Sequence, residues 1–325
     1  MIVLAGDIGG TNTRLALVEL DAVAAHIVRE ATYPSRQISN LASAVRTFLL
    51  KAGPAPERAC YGIAGPVIDQ RCKTSNLPWV VDGAMLAVDT GIAGTLLIND
   101  FHAVGNGVQR LGTEDFVTLQ SNEPDPTGPI ALIGAGTGLG QGFLFWDGLR
   151  YRVHGSEGGH VALAARDAVE WGLVEFLNAE FGRTSYERVL SGSGLAHIYR
   201  YFASSAREAE AVHEEMERED PAAVVTRHAL ARTDPLCIKA LDLFVTFYGR
   251  QAGHLAITVL ATGGVYVAGG IAPRIMAKLG DGTFMASFRD QGRMSTIAEQ
   301  VPVHVITHKS VGLLGAAAAA FADLA

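Results

Sequence analysis

The sequence predicts an α/β fold built from two related halves that face each other across a cleft. Apolar, strand-like runs alternate with segments of helical spacing along most of the 325 residues, which is the pattern of an α/β protein. One arrangement occurs twice, at residues 1–20 and 130–146: an apolar strand, a glycine-rich turn and a second apolar strand. A chain of this length is too long for one ordinary core, so we expect two domains.

The first half begins with MIVLAGDIGGTNTRLALVEL, which predicts two strands around a turn longer than a plain hairpin requires. A later strand, predicted over 95–98, is apolar and runs directly into Asn99 and Asp100. The other predicted elements of this half are a helix over 41–52, strands over 59–65 and 95–98, and a glycine-weakened helix over 101–111.

The second half follows a proline-rich loop at 121–129. Asp234 and Pro235 form a start signal for a long helix toward Ala261, because Asp is favoured at the N-cap and Pro at the first helical position. The other predicted elements are strands on both sides of the second glycine turn, helices through most of 167–262, a strand over 265–270, a helix over 273–279, a strand over 301–307 and a final helix over 312–325. We expect a small domain over 1–110 and a large domain over 111–309, with a C-terminal helix over 310–325 packing back on the small one.

Composition excludes several classes of protein. With 49% hydrophobic and 18% charged residues, the chain has the balance of a compact soluble protein. The net charge of −7 argues against nonspecific binding to nucleic acid or to an anionic membrane. Cys60, Cys72 and Cys237 are far apart and form no C-x-x-C pair, so we interpret them as buried small side chains. The sequence has no signal peptide and no apolar stretch of the ~18 residues that a membrane span needs, so we expect a cytoplasmic protein without membrane contacts.

The two glycine-rich turns indicate phosphate binding, and three designs can be compared. A Walker loop requires Gly-Lys, which does not occur in the sequence. A dinucleotide fingerprint requires G-x-G-x-x-G before a helix, whereas GAGTGLGQG lacks that spacing and precedes a strand-like run. The third design is a pair of hairpin turns that face each other and offer backbone N–H groups to a nucleotide. The residues that would contribute are Gly6, Asp7, Ile8, Gly9, Gly10 and Thr11 in the first turn, and Gly136, Thr137 and Gly138 in the second.

Asp7 lies in the first turn and is the candidate ligand of a Mg²⁺ ion, directly or through water, because Mg²⁺ uses few carboxylates together with phosphate oxygens. The competing interpretation is that each turn is a tight bend without a ligand. For the second turn alone the two interpretations stay open. Both turns together, with a carboxylate in one of them, favour a nucleotide.

Several motifs in a fixed order resemble a known family. They run from residue 6 to about 316 and are GDIGGTNTRLALV, TSNLPW, LINDFHAV, GAGTGLG, HGSEGGH, SYERVLSGSGL and VAGGIAPR. The set resembles bacterial glucokinases of the actin–hexokinase–sugar kinase superfamily, whose fold is a two-domain, ribonuclease H-like ATPase. The related kinases with a cysteine-rich zinc motif are less similar, because VALAARDAVEW follows HGSEGGH here without a cysteine.

Asp100 follows an apolar strand, where α/β folds usually place their ligands, and an ionised Asp can accept a proton from a hydroxyl. On the sequence alone, the N-cap of the following helix is the favoured role for Asp100. The resemblance implies instead that Asp100 is the general base and that Asn99 and Asp100 contact the sugar. Asn76 in TSNLPW is a weaker candidate for the sugar site.

The HGSEGGH segment contains a second group of candidate binding residues. With His154, the pair Glu157 and His160 would suggest a metal site, but zinc needs more ligands than this stretch provides. The resemblance implies that Glu157, His160 and Glu187 bind the sugar; without it, Glu187 would be interpreted as an exposed charge. Gly269 and Gly270 would approach the adenosine part of the nucleotide, or simply end a strand, and both interpretations stay open.

The resemblance implies ATP-dependent phosphorylation of glucose, with ATP and Mg²⁺ as cofactors and a homodimer as the expected assembly. The alternatives are a kinase for another hexose such as mannose, a kinase that uses polyphosphate, a sugar-responsive regulator of the same fold, and a protein-directed ATPase. A regulator needs a DNA-reading module, and only five residues precede Gly6.

Overall fold

A computed structural model describes residues 1–21, 24–51, 53–74 and 77–322 of the chain. Within these residues the strands form a five-stranded sheet, a six-stranded sheet and a small three-stranded sheet. The strands are β1 Ile2–Ile8, β2 Asn12–Leu20, β3 Ala25–Pro34, β4 Arg58–Ile63, β5 Val67–Ile68, β6 Arg71–Lys73, β7 Val80–Asp82, β8 Gly94–Asn99, β9 Phe116–Gln120, β10 Ile130–Ala135, β11 Leu139–Trp146, β12 Tyr151–Ser156, β13 Gly264–Ala268 and β14 Val303–Ile306.

Helices pack on both large sheets, and short 3₁₀ turns lie at 35–37, 113–115, 158–160, 186–188, 272–275 and 292–294. The α-helices are α1 Leu41–Leu49, α2 Gly83–Thr90, α3 Asp100–Val108, α4 Ala168–Phe181, α5 Gly192–Ala203, α6 Glu210–Arg218, α7 Pro221–Ala231, α8 Pro235–Val259, α9 Met276–Leu279, α10 Thr283–Arg289, α11 Ser295–Ala298 and α12 Val311–Ala322. None of the described helices is both long and apolar enough to cross a membrane.

The two large sheets share one plan. The order of the first is β3-β2-β1-β4-β8, and that of the second is β12-β11-β10-β13-β14-β9. In the first, β1 pairs antiparallel with β2 and parallel with β4; in the second, β10 pairs antiparallel with β11 and parallel with β13. The repeat in the sequence therefore corresponds to a repeat in the fold, and each glycine-rich turn connects the equivalent pair of strands.

Local sequence signals explain the best-predicted elements. Val3, Leu4, Ala5 and Ile8 of β1 are almost completely buried. The long helix α8 begins as predicted, with Pro235 at its first position and the side chain of Asp234 accepting a hydrogen bond from the Cys237 N–H. The helix predicted from Pro273 is instead a 3₁₀ turn at 272–275 followed by the short helix α9.

The C-terminal helix packs on the first sheet and on α3. Leu313 and Ala317 of α12 belong to the same buried cluster as Val3 and Val18 of β1 and β2. The approach to α3 is very close, since a Cβ added at Gly315 would overlap the carbonyl oxygen of Ala103. Residues 323–325 of the predicted helix lie outside the described residues.

Several strands have no counterpart among the predicted elements, namely β3, β9, β12 and the small sheet β5–β7. β3 alternates half-buried and exposed positions throughout, and β5, β6 and β7 are only two or three residues long. These strands are short or only partly buried, so local hydrophobic spacing gave little signal for them. Strand β9 also pairs with β14, which is distant in sequence.

Candidate active site

The two glycine-rich turns meet in the structure. The first lies between β1 and β2 and is closed by a 2.9 Å hydrogen bond from the Gly9 N–H to the Asn12 carbonyl oxygen. The second lies between β10 and β11, where the Gly136 N–H donates to the Gly138 carbonyl oxygen at 2.8 Å. The hydroxyl oxygens of Thr11 and Thr137 are 3.1 Å apart, so the tips of the turns are in direct contact. Phosphate groups at one turn are therefore within reach of the other.

Asp7 lies near the end of β1, opposite Arg14 across the hairpin. An Arg14 guanidinium nitrogen is 3.7 Å from the Asp7 carboxylate. Burial raises the pKa of Asp7, and the positive charge of Arg14 opposes that rise. Arg14 is held in place by Glu30, which accepts from its guanidinium at 2.7 Å. The arrangement leaves a fixed carboxylate beside the first turn.

The donor set around Asp7 fits Mg²⁺ better than a metal held by protein ligands alone. No group of three or more His, Cys, Asp or Glu side chains with the geometry of a metal site occurs in the described part of the chain. A single carboxylate beside a phosphate-sized turn is the kind of site in which Mg²⁺ keeps several waters and takes its other ligands from phosphate. Asp7 is the residue that would hold the ion, directly or through water.

Asp100 is the first residue of α3, at the point where β8 ends. Its carboxylate accepts a hydrogen bond from the Phe101 N–H at 2.9 Å. Burial first, and then the negative charges of Asp7 and Glu157, raise the pKa of Asp100 to about 7, against the opposing effect of the Phe101 hydrogen bond. A carboxyl group with this pKa is poised to take up a proton near neutral pH.

Asn99, and not Asp100, is the N-cap of α3, so the sequence-based N-cap role of Asp100 is wrong. The side-chain oxygen of Asn99 accepts from the backbone N–H groups of Phe101 and His102 at 2.9 and 3.2 Å. Its amide donates to the Gly65 carbonyl oxygen at 3.2 Å. The cap leaves the Asp100 carboxylate available for another role and fixes Asn99 beside it.

Glu157, His160 and Glu187 come together next to the second turn. The two nitrogens of the His160 ring lie 3.7 Å from the Glu157 carboxylate and 3.8 Å from the Glu187 carboxylate. Glu187 also accepts a hydrogen bond from the Leu139 N–H at 3.0 Å, immediately after that turn. The three side chains are partly exposed, and they offer both donors and acceptors of hydrogen bonds to a ligand.

His154 lies on β12 and packs its ring against Phe145, with ring centres 5.8 Å apart. This geometry gives no support to a metal site shared with Glu157 and His160. Asn76, the weaker sugar-site candidate, lies outside the described residues.

Gly269 and Gly270 follow β13 and have different surroundings. Gly269 has a φ of +86°, and a Cβ there would overlap the Ala135 carbonyl oxygen, so its own fold requires glycine. A Cβ at Gly270 would meet no atom within 4 Å. Gly269 therefore has a structural reason to be glycine, while Gly270 leaves open space next to the sheet.

Comparison with known proteins decides the family. The glucokinase family model matches residues 4–323. The chain is 41% identical to a glucokinase of Nostoc punctiforme, over 97% of this chain and 98% of that protein. It is 43% identical to a glucokinase of Synechocystis sp., over 98% of this chain and 97% of that protein. The chain belongs to the glucokinase family.

The fold of the family is also shared. The crystal structure of a glucokinase from an Antarctic psychrotroph superposes with a TM-score of 0.81 at 32% identity, covering 99% of each chain. A glucokinase of the ROK family from Streptomyces griseus, at 21% identity and a TM-score of 0.69, shows the same fold over 100% of this chain. The chain therefore has the α/β, actin-like ATPase fold that its sequence predicts.

The structure adds residues to this candidate site that the sequence did not point to. The Leu139 N–H anchors Glu187, and Gln141 packs its buried side chain against Gly158, between Glu157 and His160. The guanidinium of Arg14 lies beside the carboxylate of Asp7. A polar residue at position 141 within an otherwise apolar strand was the available signal for Gln141. The role of Leu139 is carried by the backbone and has no sequence signal.

Proposed function

We propose that this chain is a glucokinase that transfers the terminal phosphoryl group of ATP to the 6-hydroxyl of glucose. The observation that carries the proposal is that Glu187 is hydrogen-bonded to the turn that carries Thr137, while Thr137 contacts the first turn. Groups suited to a sugar thus adjoin groups suited to a triphosphate. Family membership and neighbouring structures add support, since one of those neighbours is described as a complex with glucose and AMPPNP.

In this mechanism Asp100 accepts the proton of the attacking sugar hydroxyl. The sugar oxygen forms a bond to the terminal phosphorus as the bond from that phosphorus to the bridging oxygen breaks, and ADP leaves with the electron pair. Backbone N–H groups of the turns, including those of Gly10 and Gly138, stabilise the charge on the phosphoryl oxygens. Mg²⁺, when bound near Asp7, neutralises further charge on the phosphates.

Asn99, Glu157, His160 and Glu187 orient glucose so that one hydroxyl faces Asp100. Paired hydrogen bonds to neighbouring hydroxyls discriminate strongly between sugars, because a missing partner leaves a polar group of the site unsatisfied. Glucose is the proposed substrate, and mannose, which differs at one hydroxyl, is the first competitor to compare.

The same proposal includes the organisation of the chain. We assign a small domain to residues 1–110 together with the C-terminal segment 310–325, and a large domain to residues 111–309. We further propose that the protein is cytoplasmic and forms a homodimer. Light scattering of the purified chain tests the dimer.

A coupled assay with ATP tests the function directly. We expect turnover with glucose and much less with mannose, and no turnover when polyphosphate replaces ATP. Asp100→Ala is expected to reduce kcat by about 10²–10⁴-fold while glucose binding largely survives. The exposed Asp89→Ala on α2 is the matched control and is expected to retain full activity. Absence of turnover at millimolar glucose, or a fully active Asp100→Ala variant, would contradict the proposal.

A further inference from the structure

The hydroxyl of Tyr248 lies between β10 and β13, at the point where both strands end. Tyr248 belongs to the long helix α8, and its side chain is completely buried. The Ala135 N–H donates a hydrogen bond to the hydroxyl oxygen at 3.0 Å, and the hydroxyl donates to the Ala268 carbonyl oxygen at 3.2 Å. One side chain therefore links the last residue of β10 to the last residue of β13.

The two strands separate where this hydroxyl lies. Their last register pair is Gly134 with Ala268. In a continued parallel ladder, the next bond would run directly from the Ala135 N–H to the Ala268 carbonyl oxygen. The phenol hydroxyl is inserted into that bond, and the Ala135 carbonyl oxygen accepts from the Ile271 N–H at 3.2 Å. The spacing of the two strand ends is thus set by a side chain and not by backbone pairing.

The ring of Tyr248 is held in place by other aromatic side chains. It packs edge-to-face against Phe244 of the same helix and against Phe284 of α10, with ring centres 6.0 and 5.7 Å apart. Such edge-to-face pairs fix the orientation of a ring. Burial also raises the pKa of Tyr248, so its hydroxyl keeps the proton that it donates to Ala268.

The segments that follow the two linked strands are those proposed to contact the nucleotide. Ala135 leads directly into the second glycine-rich turn, with Gly136, Thr137 and Gly138, and Ala268 leads directly into residues 269–270. Backbone donors stabilise a bound group only when they are held at the correct position, and a displacement of about 1 Å can cost much of the effect. The spacing of these two segments therefore matters to any ligand that contacts both.

We propose that Tyr248 is a positioning residue for the nucleotide, which sets the distance between the turn at 136–138 and residues 269–270 so that both contact the same ATP. The inference rests on the proposed function, because that function assigns ATP to these two segments. Since Tyr248 is completely buried, it acts through Ala135 and Ala268 and does not touch the nucleotide itself.

The proposed sugar contacts depend much less on this link. Asn99 and Asp100 lie at the end of β8 in the first sheet, and Glu157 and His160 follow β12 at the far edge of the second. We therefore expect loss of the Tyr248 hydroxyl to weaken nucleotide binding more than glucose binding. That difference distinguishes a positioning residue from a residue that only stabilises the fold.

The variant Tyr248→Phe removes the hydroxyl and keeps the ring. Calorimetric titration with the ATP analogue AMPPNP is expected to show about five- to tenfold weaker binding, as loss of a buried hydrogen-bonded link implies. The KM for ATP is expected to rise by a similar factor, and the KM for glucose to change by less than about twofold.

Tyr199→Phe is the matched control. Tyr199 is almost as buried as Tyr248, and its hydroxyl donates at 2.8 Å to the carboxylate of Glu208, which precedes α6. Both variants lose one hydrogen bond of a buried tyrosine, and urea unfolding measures what each loses in stability. We expect Tyr199→Phe to bind AMPPNP like the unaltered chain.

Hydrogen exchange in the unaltered chain provides a check that needs no variant. AMPPNP is expected to protect peptides covering 130–140 and 264–272 together, because a ligand that contacts both segments suppresses local opening of each. Tyr248→Phe is expected to exchange faster than the unaltered chain in the same two peptides when no nucleotide is present.

Three results would each overturn the inference: unchanged AMPPNP affinity in folded Tyr248→Phe, an equal loss of affinity in Tyr199→Phe, or protection by AMPPNP confined to one of the two peptides. If Tyr248→Phe does not fold, the exchange measurement on the unaltered chain decides. A chain that binds AMPPNP as described but does not phosphorylate glucose would refute the proposed function alone. Turnover of glucose with unchanged nucleotide binding in Tyr248→Phe would refute this inference alone.

Discussion

The carboxyl group of Asp100 must lose its proton to act as a base. It lies, however, where its negative charge is disfavoured. Burial and the nearby charges of Asp7 and Glu157 raise its pKa to about 7. A general base is most effective when its pKa lies near the working pH, so the cost of ionising this group also tunes it for proton transfer.

We therefore expect kcat/KM for glucose to fall as the pH is lowered through about 7, approaching a tenfold loss per pH unit below that value. The protonated carboxylic acid cannot accept the proton of the sugar hydroxyl. Steady-state rates between pH 5 and 9, at low glucose and saturating ATP, measure this dependence in the sugar-free enzyme. A kcat/KM that stays constant down to pH 5 would show that the surroundings of Asp100 do not raise its pKa as described.

The stability of the protein reports the same pKa independently. The folded-state value lies above the unfolded-state value, so stability from this group is complete below pH ~4 and is lost as the pH rises through about 7. Asp100→Asn removes the ionisation. At pH 8 this variant is expected to melt at a higher temperature than the unaltered protein, with a free energy of unfolding greater by at most about 4 kcal/mol. At pH 4 the melting temperatures of the two proteins are expected to be nearly equal.

The carboxylate of Glu187 lies next to Gly138 and occupies space that a side chain at position 138 would take. A Cβ at position 138 would lie 2.5 Å from a Glu187 carboxylate oxygen. Gly138→Ala is expected to displace that carboxylate from the Leu139 N–H and to raise the KM for glucose about tenfold, because a hydrogen bond to a charged group is lost. Gly280→Ala is the control, since its Cβ meets nothing closer than 3.5 Å. An unchanged KM for glucose in Gly138→Ala would show that Glu187 does not need this position.

At the scale of elements, α3 and α12 form the closest helix contact near the site. A Cβ at Gly315 of α12 would overlap the Ala103 carbonyl oxygen of α3, and one at Gly107 of α3 would overlap the Val311 carbonyl oxygen. Helix α3 carries Asp100 at its first position, so the small residues at this crossing also set the position of the proposed base.

Gly315→Ala is expected to destabilise the protein by about 1–3 kcal/mol, because overpacking forces the two helix backbones apart. Gly312→Ala provides a contrast in the same helix, since its Cβ would approach Asp7 no closer than 3.4 Å and alanine has the higher helix propensity. Urea unfolding of both variants measures the difference. Equal stabilities would contradict the close crossing of α3 and α12.

The elements with strong local signals were predicted from the sequence, and those that are very short or only partly buried were not. The hairpins around the two turns, the start of α8 at Asp234 and the apolar strand before Asn99 carry their own spacing and capping signals. The short strands β5–β7 carry none. In the candidate site, motif order suggested Asp100 and Glu187, whereas the N-cap role of Asn99 and the anchor at Leu139 depend on three-dimensional contacts.

At the scale of the whole molecule, the proposed sugar contacts come from both sheets. Asn99 ends β8 of the first sheet and Asp100 follows it, whereas Glu157 and His160 follow β12 of the second. A sugar held by both sets links the two halves, and such a link is the physical basis for closing a cleft and excluding water from phosphoryl transfer.

We therefore expect glucose to protect both halves of the chain from backbone hydrogen exchange. Protection should occur in peptides covering 94–108 and in peptides covering 151–163, because a ligand that bridges two elements suppresses local opening of each. At a hundred times its Kd, glucose should also raise the free energy of unfolding by about 2.7 kcal/mol. Exchange measured by mass spectrometry with and without glucose provides the test, and peptides from α6, distant from these residues in sequence, serve as the internal reference. Protection confined to the 151–163 peptides would mean that the sugar contacts the second sheet alone, in which case Asp100 would not be placed to receive its proton.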